Sequence, residues 1–412
     1  MDSAQMDSAP VDGNIVSLVQ TYLDTSFRLE VRETRLSTRI RYGAAGITEF
    51  TYEIRLARPT PDRQWCEGGL QTGCEPMPGN MTKLMALVTW WEGAEPQRYG
   101  TAISQAASMN LASHALGSGR GPLVPDYYGY AQMGRYGIVL QQAMPGRRVS
   151  SVFHRMGNHQ VDVLFHDIAG VLRRLQSWRL PDTVTGWGSV TLTDRGEIRS
   201  STAPIRPRQP CTSLEDWLTC SALSRLQLAD ESRIIDGWRL YGLRNRILNY
   251  VRRGIPRLVQ ALENPDHRVL THGSLSCTNL LCDERTGQLT AVLGTNRAIV
   301  THPFQEFLSS FLVGSELTIL PYDSGPLNLD GDSLRFYDDI FRRALDFHAV
   351  MTPRAIRGFR DAFAHQVLTV SILPGHLTQR CEFLGLVPEE RRDGERDESA
   401  ARLNRNLSEL GF

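Results

Sequence analysis

The sequence predicts an α+β fold with a small strand-rich N-terminal lobe and a large helical C-terminal lobe. Stretches with strand character are concentrated before residue 143, whereas helical spacing of apolar residues dominates from residue 144 onward. One short β-region, residues 268–293, interrupts the predicted helices. The breaker Met144-Pro145-Gly146 separates the two patterns, so we place the lobe boundary there.

The predicted N-terminal lobe covers residues 13–143 and follows residues 1–12, which we expect to form a disordered tail. Apolar residues at helical spacing predict a helix over residues 14–27, and an alanine-rich stretch predicts a second helix over 101–116. Residues 57–81 are rich in proline and glycine and predict a surface insertion. Extended, β-branched or aromatic stretches predict strands at 29–41, 50–56, 83–91 and 136–142.

The predicted C-terminal lobe covers residues 144–387. A stripe of apolar residues from Leu164 to Leu175 predicts its first amphipathic helix. Further helices are predicted at 213–228, 231–262, 304–312, 333–347 and 355–369. Residues 388–412 carry many arginines and acidic residues, and we expect a charged tail or a solvated helix there.

Composition excludes several classes of function. Lysine and arginine together equal aspartate and glutamate at 45 each, so no charge excess favours nucleic acid or an anionic membrane as a partner. The longest apolar run is far too short to span a bilayer. Seven scattered cysteines without paired spacing indicate reduced thiols and a cytoplasmic location, although Cys66 and Cys74 lie in one loop and either pair or remain free. The ten histidines show no metal-ligand spacing.

Several motifs occur in the order found in one known family. They are His272-Gly273-Ser274, Asn279-Leu280-Leu281, Thr286-Gly287 and Ala291-Val292-Leu293-Gly294. This stretch resembles the catalytic region of aminoglycoside and choline-kinase-like phosphotransferases, which reads H-G-D-x-x-x-x-N-I-L, then a T-G turn, then V-I-D-W. The resemblance extends over roughly residues 40–310 and implies a two-lobe, protein-kinase-like fold. The arginine-rich chain, with Lys83 as its one lysine, is similar in style to the fungal branch of that family.

The same resemblance implies that the phosphate-handling residues are replaced. Ser274 stands where the family has its catalytic aspartate, and Gly294 where it has the aspartate that binds magnesium. The strand cation corresponds to Thr89 and its helical glutamate partner to Gln105. Phosphoryl transfer depends on such charges for positioning and stabilisation. A serine hydroxyl is a poor base, and glycine offers Mg²⁺ no side-chain oxygen. We therefore expect a chain that does not transfer phosphate.

The interlobe cleft is the predicted site, with residues 271–298 as its degenerate catalytic loop. We predict catalytic or loop-bracing roles for His272, Ser274, Asn279 and Arg297. The predicted pocket residues are Thr89, Gln105, Gln142, Gly294 and Asn296. Gly294 is expected to make room for a ligand, and Glu306 to anchor the loop. The implied substrate is a small neutral or apolar organic molecule, without metal or cofactor, because the replaced positions are uncharged.

Three functions remain open at this stage. The first is a non-phosphorylating cyclase, isomerase or dehydratase, such as a natural-product pathway requires. The second is a pseudokinase that serves as a binding or scaffold module. The third is an atypical phosphotransferase that uses carboxylates outside the motif, such as Asp283 or Glu284.

Overall fold

The computed structural model describes residues 9–42, 47–91, 101–117, 123–202, 209–232, 234–311, 331–374 and 389–412. In these residues the first half of the chain forms one large antiparallel sheet with two helices, and the second half is mostly helical. The predicted α+β architecture, with a β-rich N-terminal lobe and a helical C-terminal lobe, is confirmed. None of the helices in these ranges is both long enough and apolar enough to cross a bilayer.

The N-terminal sheet has the strand order β1-β2-β3-β5-β4 and is antiparallel throughout. Its strands are β1 (Val31–Tyr42), β2 (Ile47–Leu56), β3 (Lys83–Trp91), β4 (Tyr127–Met133) and β5 (Tyr136–Gln142). Successive side chains along a strand point to opposite faces of the sheet. On β2, Phe50 and Tyr52 are therefore buried against helix α1 (Ala9–Phe27), while Thr51 and Glu53 face the C-terminal lobe.

Helix α2 (Ala102–Leu116) connects the sheet to the rest of the molecule. It starts at Thr101, whose side chain caps the N–H of Ser104. Its small residues allow close packing against β4 and β5 and against the C-terminal lobe. The helix therefore lies between the sheet and the C-terminal lobe, and it carries Gln105.

Two N-terminal predictions were wrong in part. Residues 1–8 of the predicted tail lie outside the described residues, but residues 9–12 belong to α1, because Pro10 is tolerated in a first helical turn. Strand β4 was missed because Gly129 interrupts its aromatic run. A Cβ at Gly129 would lie 2.6 Å from the Phe27 ring, so the close approach of α1 requires glycine there. Cys66 and Cys74 are both free thiols in the structure.

The C-terminal lobe is built from helices around two buried apolar clusters. The helices are α3 (Val149–Val152), α4 (Asn158–Ser177), α5 (Leu214–Glu231), α6 (Leu243–Asn249), α7 (Ile255–Ala261), α8 (Phe304–Ser310), α9 (Gly331–Phe347), α10 (Phe359–Ile372) and α11 (Glu389–Glu409). Helix α11 packs on α10 with Leu403 and Leu407 fully buried, so the charged C-terminal segment is a docked helix from residue 389.

The single helix predicted over residues 231–262 is wrong. A turn of 3₁₀ helix at Asp236–Trp238 breaks it, because Gly237 (φ +57°) and Gly242 (φ +66°) adopt the left-handed conformation. The chain then resumes as α6, passes through one π-helical turn at Tyr250–Gly254 and continues as α7.

Short strands position the predicted catalytic loop. They are β6 (Arg147–Arg148), β7 (Val190–Leu192), β8 (Ile198–Ser200), β9 (Val269–Thr271), β10 (Leu280–Cys282), β11 (Leu289–Val292) and β12 (Ile299–Thr301). β10 pairs with both β11 and β6, which ties the segment after the lobe boundary to the hairpin. β9 pairs with β12, so the loops that follow β9 and β11 are held side by side.

Candidate functional site

A buried carboxylate anchors the loop that follows β9. One oxygen of Glu306, on α8, accepts hydrogen bonds from the backbone N–H groups of His272 and of Gly273, the latter at 3.3 Å. The other oxygen accepts from the Ser310 hydroxyl at 2.6 Å. Burial raises the pKa of Glu306, against the three hydrogen bonds that lower it. These contacts are those expected of a loop anchor.

The His272 imidazole links the two adjacent loops. Its Nε2–H donates to the carbonyl of Leu293 at 2.8 Å, and its Nδ1 accepts from the backbone N–H of Ser274 at 3.2 Å. The ring is 1% exposed, and burial lowers its pKa to about 4, with the charge of Arg297 acting in the same direction. His272 is therefore neutral at pH 7, and both of its nitrogens are already bonded to the backbone.

Ser274 and Asn279 were predicted to belong to one site, and they contact each other. The contact holds the loop in shape. The Asn279 Nδ2 donates to the Ser274 carbonyl at 2.8 Å and lies 3.1 Å from its hydroxyl. Only the backbone of Ser274 meets His272, so the two side chains do not form a nucleophile and base pair. The Asn279 donors are used inside the loop, as the loop-bracing role among its two predicted roles requires.

The prediction that Gly294 makes room for a ligand was wrong. Its φ of +77° is the left-handed conformation, which L side chains rarely adopt. A Cβ at this position would lie 2.9 Å from Nδ2 and 3.0 Å from Cγ of Asn279. Asn279 thus fills the space, and glycine serves the turn rather than an open pocket.

Thr89 and Gln105 form a neutral pair at the inner end of the sheet. The Gln105 Nε2 donates to the Thr89 Oγ1 at 2.8 Å, from α2 across to β3. Thr89 is 1% exposed and Gln105 is 8% exposed. The resemblance assigned a strand cation and a helical glutamate to these positions, and the structure brings the two residues together as a hydrogen-bonded pair.

A carboxylate that the sequence analysis missed lies beside this pair. Glu49, on β2, is directly opposite Thr89 in the β2–β3 register, so their side chains share one face of the sheet. Its Oε1 accepts from the Asn296 Nδ2 at 2.9 Å and lies 3.3 Å from the Arg297 Nε. Because Asn296 and Arg297 form a 3₁₀ turn of the C-terminal lobe, Glu49 joins the two lobes at the inner end of the cleft.

Two amide oxygens in this polar cluster have no hydrogen-bond partner among the described residues. They are the Asn296 Oδ1 and the Gln105 Oε1, both on side chains more than nine-tenths buried. The Glu49 carboxylate requires the NH₂ group of Asn296, so the orientation of that amide is fixed and its oxygen remains an acceptor. Leaving a buried acceptor unpaired costs about 1–3 kcal/mol, so this end of the cleft favours a hydrogen-bond donor.

The cleft between the lobes has a volume of about 410 Å³. It is lined by Ser37, Thr51, Glu53, Lys83, Met85, Gln141, Gln142, Met144, Gly146, Arg147, Arg148, Ser151, Leu281 and Leu293. Of the nine predicted site residues, Gln142 alone lines this space. Thr51 and Leu293 are its lining residues that lie near the polar cluster, because Glu49 lies two residues along the same strand face and Gly294 follows Leu293.

The remaining charged candidates make their hydrogen bonds and ion pairs away from His272, Ser274 and Asn279. The Lys83 Nζ bonds Glu53 at 2.9 Å, and six residues of strand place it about 20 Å from Thr89. Asp283 caps the β10–β11 turn through the N–H groups of Arg285 and Thr286, and exposed Glu284 pairs with arginines at the cleft rim. In the parts of the chain that the structure describes, no cluster of histidine, cysteine, aspartate and glutamate could hold a metal ion.

Comparisons with known proteins show likeness in structure only. No protein-family model matches the sequence, and no curated protein matches it. Among solved structures, the ADP-bound aminoglycoside phosphotransferase APH(2'')-Ib is 14% identical over 97% of this chain and 99% of its own, with a TM-score of 0.47. APH(2'')-IIa, in its ternary complex with streptomycin and ATP, gives the same identity, coverage and TM-score. A putative aminoglycoside phosphotransferase from Ralstonia eutropha is 11% identical over 96% of this chain and 98% of its own, with a TM-score of 0.47.

Proposed function

We propose that this protein converts a small organic molecule in the interlobe cleft and does not transfer phosphate. The observation that carries the proposal is the buried hydrogen bond between Thr89 and Gln105. By the resemblance, Thr89 and Gln105 occupy the positions at which phosphoryl transfer needs a cation and the carboxylate that holds it. They supply a hydroxyl and an amide instead. Removing one such electrostatic stabiliser typically costs ~10²–10³ in rate, and here the carboxylates at Ser274 and Gly294 are absent as well.

The charges near this pair support the same conclusion. Arg297, a cation beside this pair, is already paired with Glu49, whose side chain is 7% exposed. A phosphate at this end would meet the Glu49 carboxylate and the unpaired oxygens of Gln105 and Asn296, which repel or cannot bond it. A neutral hydroxyl, amide or water would instead find acceptors. The reacting end of the ligand is therefore uncharged and donates hydrogen bonds.

This arrangement suits cyclisation, isomerisation or dehydration, in which few groups need to be charged. Arg297 and Asn296 can orient a hydroxyl by hydrogen bonds, and the Glu49 carboxylate can accept its proton, within a site closed by both lobes. Such reactions are common in natural-product pathways. The proposal also places the protein in the fungal branch of the resembling family and in the cytoplasm. The bracing role of Asn279 removes it from the group that would contact the substrate.

A second candidate is an atypical phosphotransferase, and the placement of Arg297 favours it. The 3₁₀ turn brings this guanidinium to the inner end of the cleft from a different segment than the family uses. If Glu49 released it, Arg297 would supply a phosphate cation. Asp283 and Glu284, the carboxylates named above for an atypical phosphotransferase, contact the β10–β11 turn and arginines at the rim instead.

Thermal unfolding with ATP and Mg²⁺ separates the two candidates. A ligand that binds only the folded state at a hundred times its Kd stabilises it by ~2.7 kcal/mol. We expect millimolar ATP with Mg²⁺ to leave the Tm unchanged, in wild type and in the Arg297→Met variant alike. A rise of several degrees that EDTA abolishes, and that Arg297→Met also abolishes, would establish the phosphotransferase instead.

A further inference from the structure

Three cations line the interlobe cleft, and two of them are neutralised by carboxylates. Lys83 bonds Glu53 at 2.9 Å on the sheet side. Arg147 lies 3.8 Å from Glu284 at the rim. Charges paired in this way contribute little net attraction for a ligand, because each partner already compensates the other.

Arg148 is the exception among the cleft-lining cations that the structure describes. Its Nη1 donates to the carbonyl of Thr278, and its Nη2 lies 3.5 Å from the hydroxyl of Ser37, on the opposite lobe. No carboxylate of the described residues contacts it. A guanidinium has five N–H donors, so most of those of Arg148 remain for another partner. Burial also lowers its pKa, which marks a partly desolvated charge.

We propose that Arg148 binds a carboxylate group of the small-molecule ligand, in the part of the cleft where its guanidinium lies between Thr278 and Ser37. The proposal rests on the proposed function, since it describes how the same cleft holds the same ligand. A guanidinium and a carboxylate form two parallel hydrogen bonds, a planar geometry that also orients the ligand. The single uncompensated charge matches a monoanion rather than a phosphate dianion.

This subsite revises the expectation of a wholly neutral or apolar ligand. The cleft has the uncompensated cation of Arg148 beside Ser37 and apolar surface from Met85, Leu281 and Leu293. The polar cluster lies beyond Thr51, which neighbours Ser37 in the sheet. The ligand is then an organic acid with an apolar body. Its carboxylate stays at Arg148, and its uncharged, donor-bearing end reaches toward Glu49 and Asn296.

Three naphthalene probes with one ring system test the subsite: 2-naphthoate, 2-naphthamide and 2-naphthyl phosphate. We expect calorimetric titration to give a Kd for the carboxylate at least tenfold below those of the amide and the phosphate. The Arg148→Gln variant should weaken naphthoate tenfold or more and leave naphthamide unchanged. Arg195→Gln, which removes one exposed charge on the β7–β8 turn, should change neither. If Arg148→Gln does not fold, Arg148→Lys is the substitute variant. It keeps the positive charge but cannot form the two parallel hydrogen bonds of a guanidinium, so its affinity for naphthoate should fall by an intermediate amount.

Each other outcome overturns the proposal. Equal binding of naphthoate and naphthamide, including no binding of either, means that the cleft has no anion subsite. A preference for naphthoate that persists in Arg148→Gln, or that is as large in Arg148→Lys as in wild type, places the subsite elsewhere. Tighter binding of naphthyl phosphate makes it a phosphate site. None of these results depends on ATP, so failure here and failure of the non-phosphorylating function are distinguishable.

Discussion

Replacing Glu306 with alanine should destabilise the protein by about 3–5 kcal/mol, the largest effect we expect from one substitution. The change leaves the backbone N–H groups of His272 and Gly273 without their acceptor, in a site where water does not replace it. Each unpaired buried donor costs about 1–3 kcal/mol, and the removed side chain adds a cavity. Urea unfolding monitored by circular dichroism should show the loss as a lower midpoint.

Glu306→Gln is the matched control, because an amide oxygen can accept the same two N–H groups. We expect it to remain within about 1 kcal/mol of wild type, the size of one ordinary hydrogen bond. The raised pKa of Glu306 means that its contribution to stability is fully present below the ordinary carboxyl pKa and is lost as pH rises through the folded value. The free energy of unfolding of the glutamine variant, relative to that of wild type, should therefore increase from acidic to neutral pH. An alanine variant as stable as the glutamine variant would contradict the anchoring role.

Breaking the contact between Glu49 and Arg297 should have the second-largest effect. Arg297→Met leaves a carboxylate whose side chain is 7% exposed without its cation, and such losses cost about 3–5 kcal/mol when the pair is fully buried. Arg297 is about one quarter exposed, so solvent screens part of this, and we expect about 1–3 kcal/mol. Under the proposed function, turnover of the natural substrate should also fall at least tenfold, since Arg297 is proposed to orient its reacting end.

A double-mutant cycle isolates this contact. Glu49→Gln keeps the hydrogen-bond acceptor for Asn296 and removes the charge that Arg297 meets. If the pair is coupled, the Glu49→Gln/Arg297→Met double variant should be more stable than the sum of the single losses predicts, by about 0.5–3 kcal/mol. Additive losses would mean that the two side chains do not act together, and that the lobes are held by other contacts.

Much of the fold was predictable because periodicity reports burial. Strand β3 was predicted with its observed bounds, since its apolar run lies in the centre of the sheet and is buried on both faces. The 231–262 region could not be read in this way. Its apolar spacing continues through residues 236–242, and the left-handed backbone of Asp236, Gly237, Trp238 and Gly242 ends the helix.

The parts of the site that follow from the order of motifs along the chain were predictable. The contacts that depend on which side chains meet in the folded structure were not. Thr89 and Gln105 were placed at corresponding positions, and they form a hydrogen bond. Glu49 was missed because one acidic residue on a strand resembles an exposed charge until the register sets it opposite Thr89. The alternation of side chains along β2 was the signal that could have predicted the direction of Glu49. Because Phe50 and Tyr52 face α1, Glu49 faces the C-terminal lobe.

Mass analysis of the product tests the central claim most directly. Extract from a host that lacks this gene, which accumulates the substrate, would be incubated with the purified protein, with and without ATP and Mg²⁺. We predict a product that keeps the mass of its substrate or loses water, formed equally in both reactions and at least tenfold more slowly by Arg297→Met. A product that gains the mass of a phosphoryl group, and only when ATP is present, would contradict the account.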